Sequence, residues 1–170
     1  VSAALEGLSL AARRHDELMI FLDAVAVKKS HDVWRRLRTL RSLDRVSLMP
    51  DLESRREPAL RSDLFIRPEA SSEHRSVLLD AMAAGMCVLS AKDPVVEALQ
   101  HERTCYVCQE PTALGWERAV LHALEEPQRA RALGTGAQKW IRDSQSVSSQ
   151  AAALIDAYER LTAKGATAAA

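Results

Sequence analysis

The chain holds 170 residues, 47% hydrophobic and 27% charged, the profile of one soluble globular domain. A domain of this size buries about 70% of its unfolded surface, so it needs neither disulfide nor metal staple. With 23 basic against 23 acidic residues the formal charge is +0, which excludes binding to nucleic acid or anionic membrane by bulk charge. Three cysteines do not make a secreted disulfide framework, and no apolar run approaches the ~20 residues of a membrane span. A cytoplasmic chain is the expectation.

From Val1 to Arg14, apolar residues at Leu5, Leu8 and Ala12 mark a helix with one buried face. Leu18 to Leu22 is a short continuous apolar run, expected to be a strand covered on both sides. Val33 to Leu43 returns to helical spacing, and Arg45 to Met49 reads as a strand ended by Pro50. Glu53 to Arg61 is at most a short polar helix, since Pro58 interrupts it. Leu64 to Ile66 is a buried strand closed by Pro68.

Val77 to Ala84 is an apolar, alanine-rich helix with Gly85 as its natural cap. Met86 to Leu89 reads as a strand, Asp93 to Leu99 as a short helix with Pro94 in its first turn, and Thr104 to Cys108 as a strand. Helices follow over Thr112–Glu125, Pro127–Arg142 and Val147–Thr162. Residues 164–170 form a small-residue tail expected to be flexible, which leaves 1–163 as one domain.

Strands alternating with helices predict a doubly wound, Rossmann-like α/β domain with helices on both faces of a parallel sheet. A helical C-terminal extension follows it. The chain opens in a helix where such a domain ordinarily opens in a strand, so the first strand is expected to be missing. Ligands of open α/β sheets bind beyond the carboxyl ends of the strands. The candidate loops there are 23–30, 50–53, 68–76, 90–93 and 109–112. The third is richest in chemistry: it leads from Pro68 into the Val77 helix, whose free N–H groups favour an anion such as phosphate. Ser71, Ser72 and Glu73 equally have the character of simple helix caps.

The stretch from Ser62-Asp-Leu-Phe-Ile-Arg-Pro68 through Asp80-Ala-Met-Ala-Ala-Gly85 to Met86-Cys-Val-Leu-Ser90 resembles the C-terminal half of GT-B glycosyltransferases of the family 4 (group 1) type. Val96-Glu97-Ala-Leu, Arg103-Thr104, Glu126-Pro-Gln-Arg-Ala-Arg-Ala-Leu-Gly134 and Asp44-Arg45-Val46 extend the resemblance over nearly the whole chain. It implies a domain that binds a nucleotide-diphosphate sugar of UDP or GDP type and donates a hexose to an acceptor held by a separate N-terminal domain. Such a half is not expected to be active alone.

By this resemblance Asp80 holds the ribose hydroxyls, as a carboxylate accepting two donors does well. Ser72 and Glu73 compete for the first acidic position, and His74, Arg75 and Ser76 stand where the family has a Gly-Phe-Gly-like loop, with Val77 following. Glycine there lets backbone approach a ligand closely, and side chains obstruct it. The donor motif is therefore eroded. Two other readings stay open: a non-catalytic interaction module of the same fold, and a nucleotide-sugar epimerase of the same architecture. An exposed sheet edge would favour a homodimer.

Other signals are weaker. Cys105-x-x-Cys108 near His101 suggests a metal, but residues three apart on a strand face opposite ways, so no metal is expected and buried thiols are. Gly134-x-Gly136 lacks the strand and third glycine of a dinucleotide fingerprint. Arg35, Arg36, Arg38 and Arg41 make a basic helix face, and Trp34, Trp116 and Trp140 fall on apolar helical faces expected to be core. No cofactor is implied.

Overall fold

The computed structural model describes residues 1–23, 31–40, 43–49, 58, 61–70 and 75–168. In chain order it contains α1 (Ser2–Ala12), β1 (Ile20–Asp23), α2 (His31–Thr39), a 3-10 turn (Leu43–Arg45), β2 (Val46–Met49) and β3 (Leu64–Arg67). Then come α3 (Arg75–Ala83), β4 (Cys87–Ala91), β5 (Tyr106–Cys108), α4 (Ala113–Glu125), α5 (Pro127–Ser144) and α6 (Val147–Ala168). Every strand pair is parallel, as expected of a doubly wound α/β fold. Among the described residues the strands form two groups, β1–β2 and β3–β4–β5, with no ladder joining them.

Alternation along β3 and β4 sorts side chains between two cores. Leu64, Ile66, Cys87 and Leu89 face Ala4 and Leu8 of α1 and Trp116 and Val120 of α4. Phe65 and Val88 face the other way, toward Leu78 and Met82 of α3 and Ala137 of α5. Helices thus cover both faces. Trp116, 1% exposed, lies at the centre of the first core, where truncating such a ring to alanine costs about 3–5 kcal/mol. The same core takes in Ile20 and Leu22, so α1 and α4 bridge the two strand groups.

Local chemistry sets the boundaries. Gly85 takes φ +79 and ends α3, with the Met86 N–H returning to the Ala81 carbonyl at 3.1 Å. Thr112 caps α4 by accepting the Gly115 N–H at 3.1 Å, and Pro127 opens α5. Arg45 donates to the Ala12 and His15 carbonyls at 2.8 and 3.0 Å, so it ties the end of α1 to the start of β2.

Three expectations change. Asp93 to Leu99 is two successive turns, not a helix: the Asp93 carboxylate accepts the Val95 N–H, and Thr104 Oγ1 accepts the Gln100 N–H at 2.9 Å. These side chains compete with helical hydrogen bonds. The β1 run is not covered on both sides, since Phe21 is 42% exposed. Helix α6 runs to Ala168, beyond the Thr162 boundary read from spacing. The proposed Glu53–Arg61 helix lies outside the described residues except at Pro58 and Arg61.

Candidate functional site

The carboxyl ends of the parallel strands lie together, and the chain leaves β3 at Pro68, β4 at Lys92 and β5 at Gln109. The Val1 nitrogen lies 2.5 Å from Glu69 Oε1, which brings the start of α1 to the same end. Helix α3 begins here with Arg75 and Ser76, both exposed, and Val77, half-buried. Asp80, one turn beyond Ser76 on the same strip of helix, is exposed, with no side-chain partner among the described residues. Ser72, Glu73 and His74 lie outside the described residues. Four of the seven candidates therefore fall on the first turns of one helix. Glu97 is exposed in the turn after β4.

The structure adds a group that spacing did not single out. Arg67 Nη2 lies 2.6 Å from Asp93 Oδ2, with side-chain exposures of 6% and 9%. The Arg67 guanidinium also lies 3.5 Å from Ser90 Oγ, and Ser90 is its cross-strand neighbour. Asp93 Oδ1 accepts the Val95 N–H at 3.1 Å. The hydrogen bond from Arg67 holds the Asp93 carboxyl below its ordinary pKa, against the opposing effect of burial. The available signal was an arginine directly before Pro68 in an otherwise apolar strand, with Asp93-Pro94 at the end of the next.

The remaining signals fall to packing. Cys105 belongs to the core under α3 and Cys108 to the core under α4, so the pair does not converge. His101 is occupied too, its Nδ1 accepting the Val107 N–H at 3.0 Å. Among the described residues no cluster of His, Cys, Asp and Glu could hold a metal ion. Burial raises the Cys87 thiol to about 11 and that of Cys105 to about 12. Trp116 is core, and Trp140 packs half-buried on the α3–α5 side. Arg36 pairs with Glu6, whereas Arg41 and the Trp34 side chain lie outside what is described. A shallow recess among Cys87, Tyr106, His122 and Arg129 lies off the opposite, amino-terminal strand ends.

No protein-family model matches the chain, and no curated protein matches it in sequence. Solved structures do. Sucrose-phosphate synthase from Thermosynechococcus elongatus superposes with a TM-score of 0.72 at 18% identity, over 95% of this chain and 43% of that one. The C-terminal domain of a glycosyl transferase group 1 family protein from Francisella tularensis superposes with a TM-score of 0.71 at 9% identity, over 86% of this chain and 79% of the domain. This chain has the fold of a GT-B glycosyltransferase C-terminal domain. Anabaena HepE, solved in complex with UDP, matches this GT-B fold with a TM-score of 0.69 at 17% identity, over 89% of this chain and 44% of that one. The chain spans less than half the length of the sucrose-phosphate synthase and HepE chains that it matches. Among the described residues, no helix of the GT-B-type domain is long and apolar enough to cross a membrane.

Proposed function

We propose that this domain is the donor-binding half of a glycosyltransferase, taking a nucleotide-diphosphate sugar of UDP or GDP type at the carboxyl ends of β3 and β4. The observation that supports the reading is that α3, which carries Arg75, Ser76 and Asp80 exposed on its surface, follows the carboxyl end of β3 within a GT-B fold. A crevice there is where open α/β sheets bind ligands. That Anabaena HepE, which shares the fold, binds UDP supports the same ligand class.

In this mechanism Asp80 accepts the ribose hydroxyls. The free N–H groups at the start of α3, joined by Arg75 and by Ser72, Glu73 and His74 before it, line the diphosphate and sugar. Donor N–H groups and positive charge stabilise the leaving diphosphate as the glycosidic bond to the nucleotide breaks. The hexose passes to an acceptor oriented by a separate N-terminal domain, without which no transfer occurs. A cytoplasmic location and pairing of two copies through an exposed sheet edge belong to the same reading.

Calorimetric titration with UDP, GDP and their sugars tests it. Wild-type chain binds one of them saturably, and Asp80→Ala weakens it about tenfold or more, the worth of hydrogen bonds to a charged group. Absence of binding at millimolar nucleotide overturns the reading. A second reading, a fold retained for its surfaces, is favoured by the exposed Arg75 and Ser76 side chains at the α3 start, where a close backbone approach calls for glycine.

A further inference from the structure

Two chain segments leave the sheet side by side at the proposed site, one after β3 at Pro68 and one after β4 at Lys92. An ion pair ties them together. Arg67 is the last residue of β3, and Asp93 lies two residues beyond the end of β4. Their side chains meet at 2.6 Å, both more than nine-tenths buried. The same carboxylate fixes its own segment, because its second oxygen accepts the Val95 N–H. One carboxylate therefore sets both the turn after β4 and its distance from the exit of β3.

Stability alone does not account for this arrangement. Withdrawing both ions from water offsets most of their attraction, so an apolar pair of similar volume holds a sheet as well or better. The rest of β3 is apolar, and its neighbour Phe65 on the same face packs against Val88, Leu78 and Met82. Apolar packing was available at Arg67, yet a fully satisfied ion pair stands there. What an ion pair adds is directionality: it fixes two segments at one separation and orientation.

We propose that Arg67 and Asp93 are positioning residues of the donor site, setting the separation of the β3 and β4 exits so that the diphosphate of a nucleotide diphosphate fits between them. This rests on the donor-binding reading above. Neither residue touches the ligand; both act through the backbone that they hold.

The test titrates the whole chain with UDP, UMP and uridine, using wild type, Asp93→Asn and the double variant Arg67→Met/Asp93→Leu. Asp93→Asn keeps the shape and removes the charge. The double variant removes the whole pair without leaving a buried ion alone, and its melting temperature is expected to equal or exceed that of wild type. Both variants are expected to bind UDP about tenfold or more weakly, with UMP and uridine changed less than about threefold. A double variant with wild-type UDP affinity overturns the proposal, because the pair is then structural only. So does an equal loss for all three ligands. Wild type that binds neither UDP nor GDP overturns the donor reading and this proposal together. Where it binds GDP instead, GDP, GMP and guanosine replace the uridine series, and binding that the variants leave untouched overturns this proposal alone.

Discussion

Gly7 of α1 leaves no room for a side chain against Trp116 of α4. A Cβ placed on Gly7 would lie 2.6 Å from the Trp116 Cβ and 2.6 Å from the Ala113 carbonyl oxygen. The two helices meet backbone to backbone, and that contact closes the core reaching both strand groups. Gly7→Ala is expected to destabilise the domain by about 1–3 kcal/mol, the usual effect of overpacking a filled interface. Urea unfolding followed by far-UV circular dichroism measures it, and an unchanged midpoint would show that α1 can lift away without loss.

A second close approach lies at the other end. Gly134 of α5 sits where a Cβ would come 2.0 Å from the Gly85 carbonyl oxygen, and Gly85 is itself fixed at φ +79. Neither partner has a side chain that could swing aside. Gly134→Ala is therefore expected to cost about 3 kcal/mol, at the upper end for overpacking, whereas Thr135→Ala, at the exposed neighbour, stays within about 0.5 kcal/mol. Thermal melts of the two variants side by side decide it.

The Asp93 carboxyl, held below its ordinary pKa by Arg67, sets a direction for acid denaturation. A depressed folded-state pKa contributes stability above the unfolded carboxylate value, and that stability is lost as pH falls through the folded value. Wild type is expected to lose stability more steeply than Asp93→Asn below about pH 4, while Asp93→Asn is the weaker protein at pH 7. Parallel slopes for the two proteins below pH 4 would remove Asp93 from the acid transition.

The thiols act at the alkaline end. Cys87 and Cys105 ionise in the folded protein only near 11 and 12, well above an unfolded thiol. Unfolded chain loses its thiol protons first, so stability falls as pH rises above about 8.5. Folded protein is expected to react with a thiol-specific disulfide reagent only at its opening rate at pH 8, and immediately in denaturant. Rapid labelling of the native protein would contradict the buried cores seen around these residues.

Helix α6 gives the opposite expectation. Every residue from 151 to 160 is exposed, Leu154 and Tyr158 among them, and Asp156 pairs with Arg160 along the helix. Truncation after Ser146 is expected to leave the melting temperature within about 2 °C of the full chain, the equivalent of at most about 0.5–1 kcal/mol. A larger drop would assign α6 a role in holding the domain.

The parallel α/β architecture was legible because its signals are local. Leu64-Phe-Ile, Cys87-Val-Leu and the Gly85 cap each carry enough pattern to fix an element and its end. Asp93 to Leu99 misled because Pro94 imitates a helix start, while Thr104, distant in spacing, holds the turns by its hydroxyl. Phe21 misled because an apolar run does not say which of its faces a helix covers. Asp80 and Arg75 stood out through a family-like motif. Arg67 and Asp93 did not, since their partnership depends on register between strands separated by twenty residues of sequence, which no periodicity encodes.

The parting of the strands into β1–β2 and β3–β4–β5 has a consequence for how the molecule opens. Among the described residues the two groups share a core but no backbone hydrogen bonds, so amide protons in each are protected by separate ladders. Hydrogen exchange should resolve two classes of slow amide. The β4 amides, flanked by strands on both sides, would exchange last, through global unfolding. Those of β1 and β2 would exchange earlier, whenever α1 swings off α4 and carries its two strands with it.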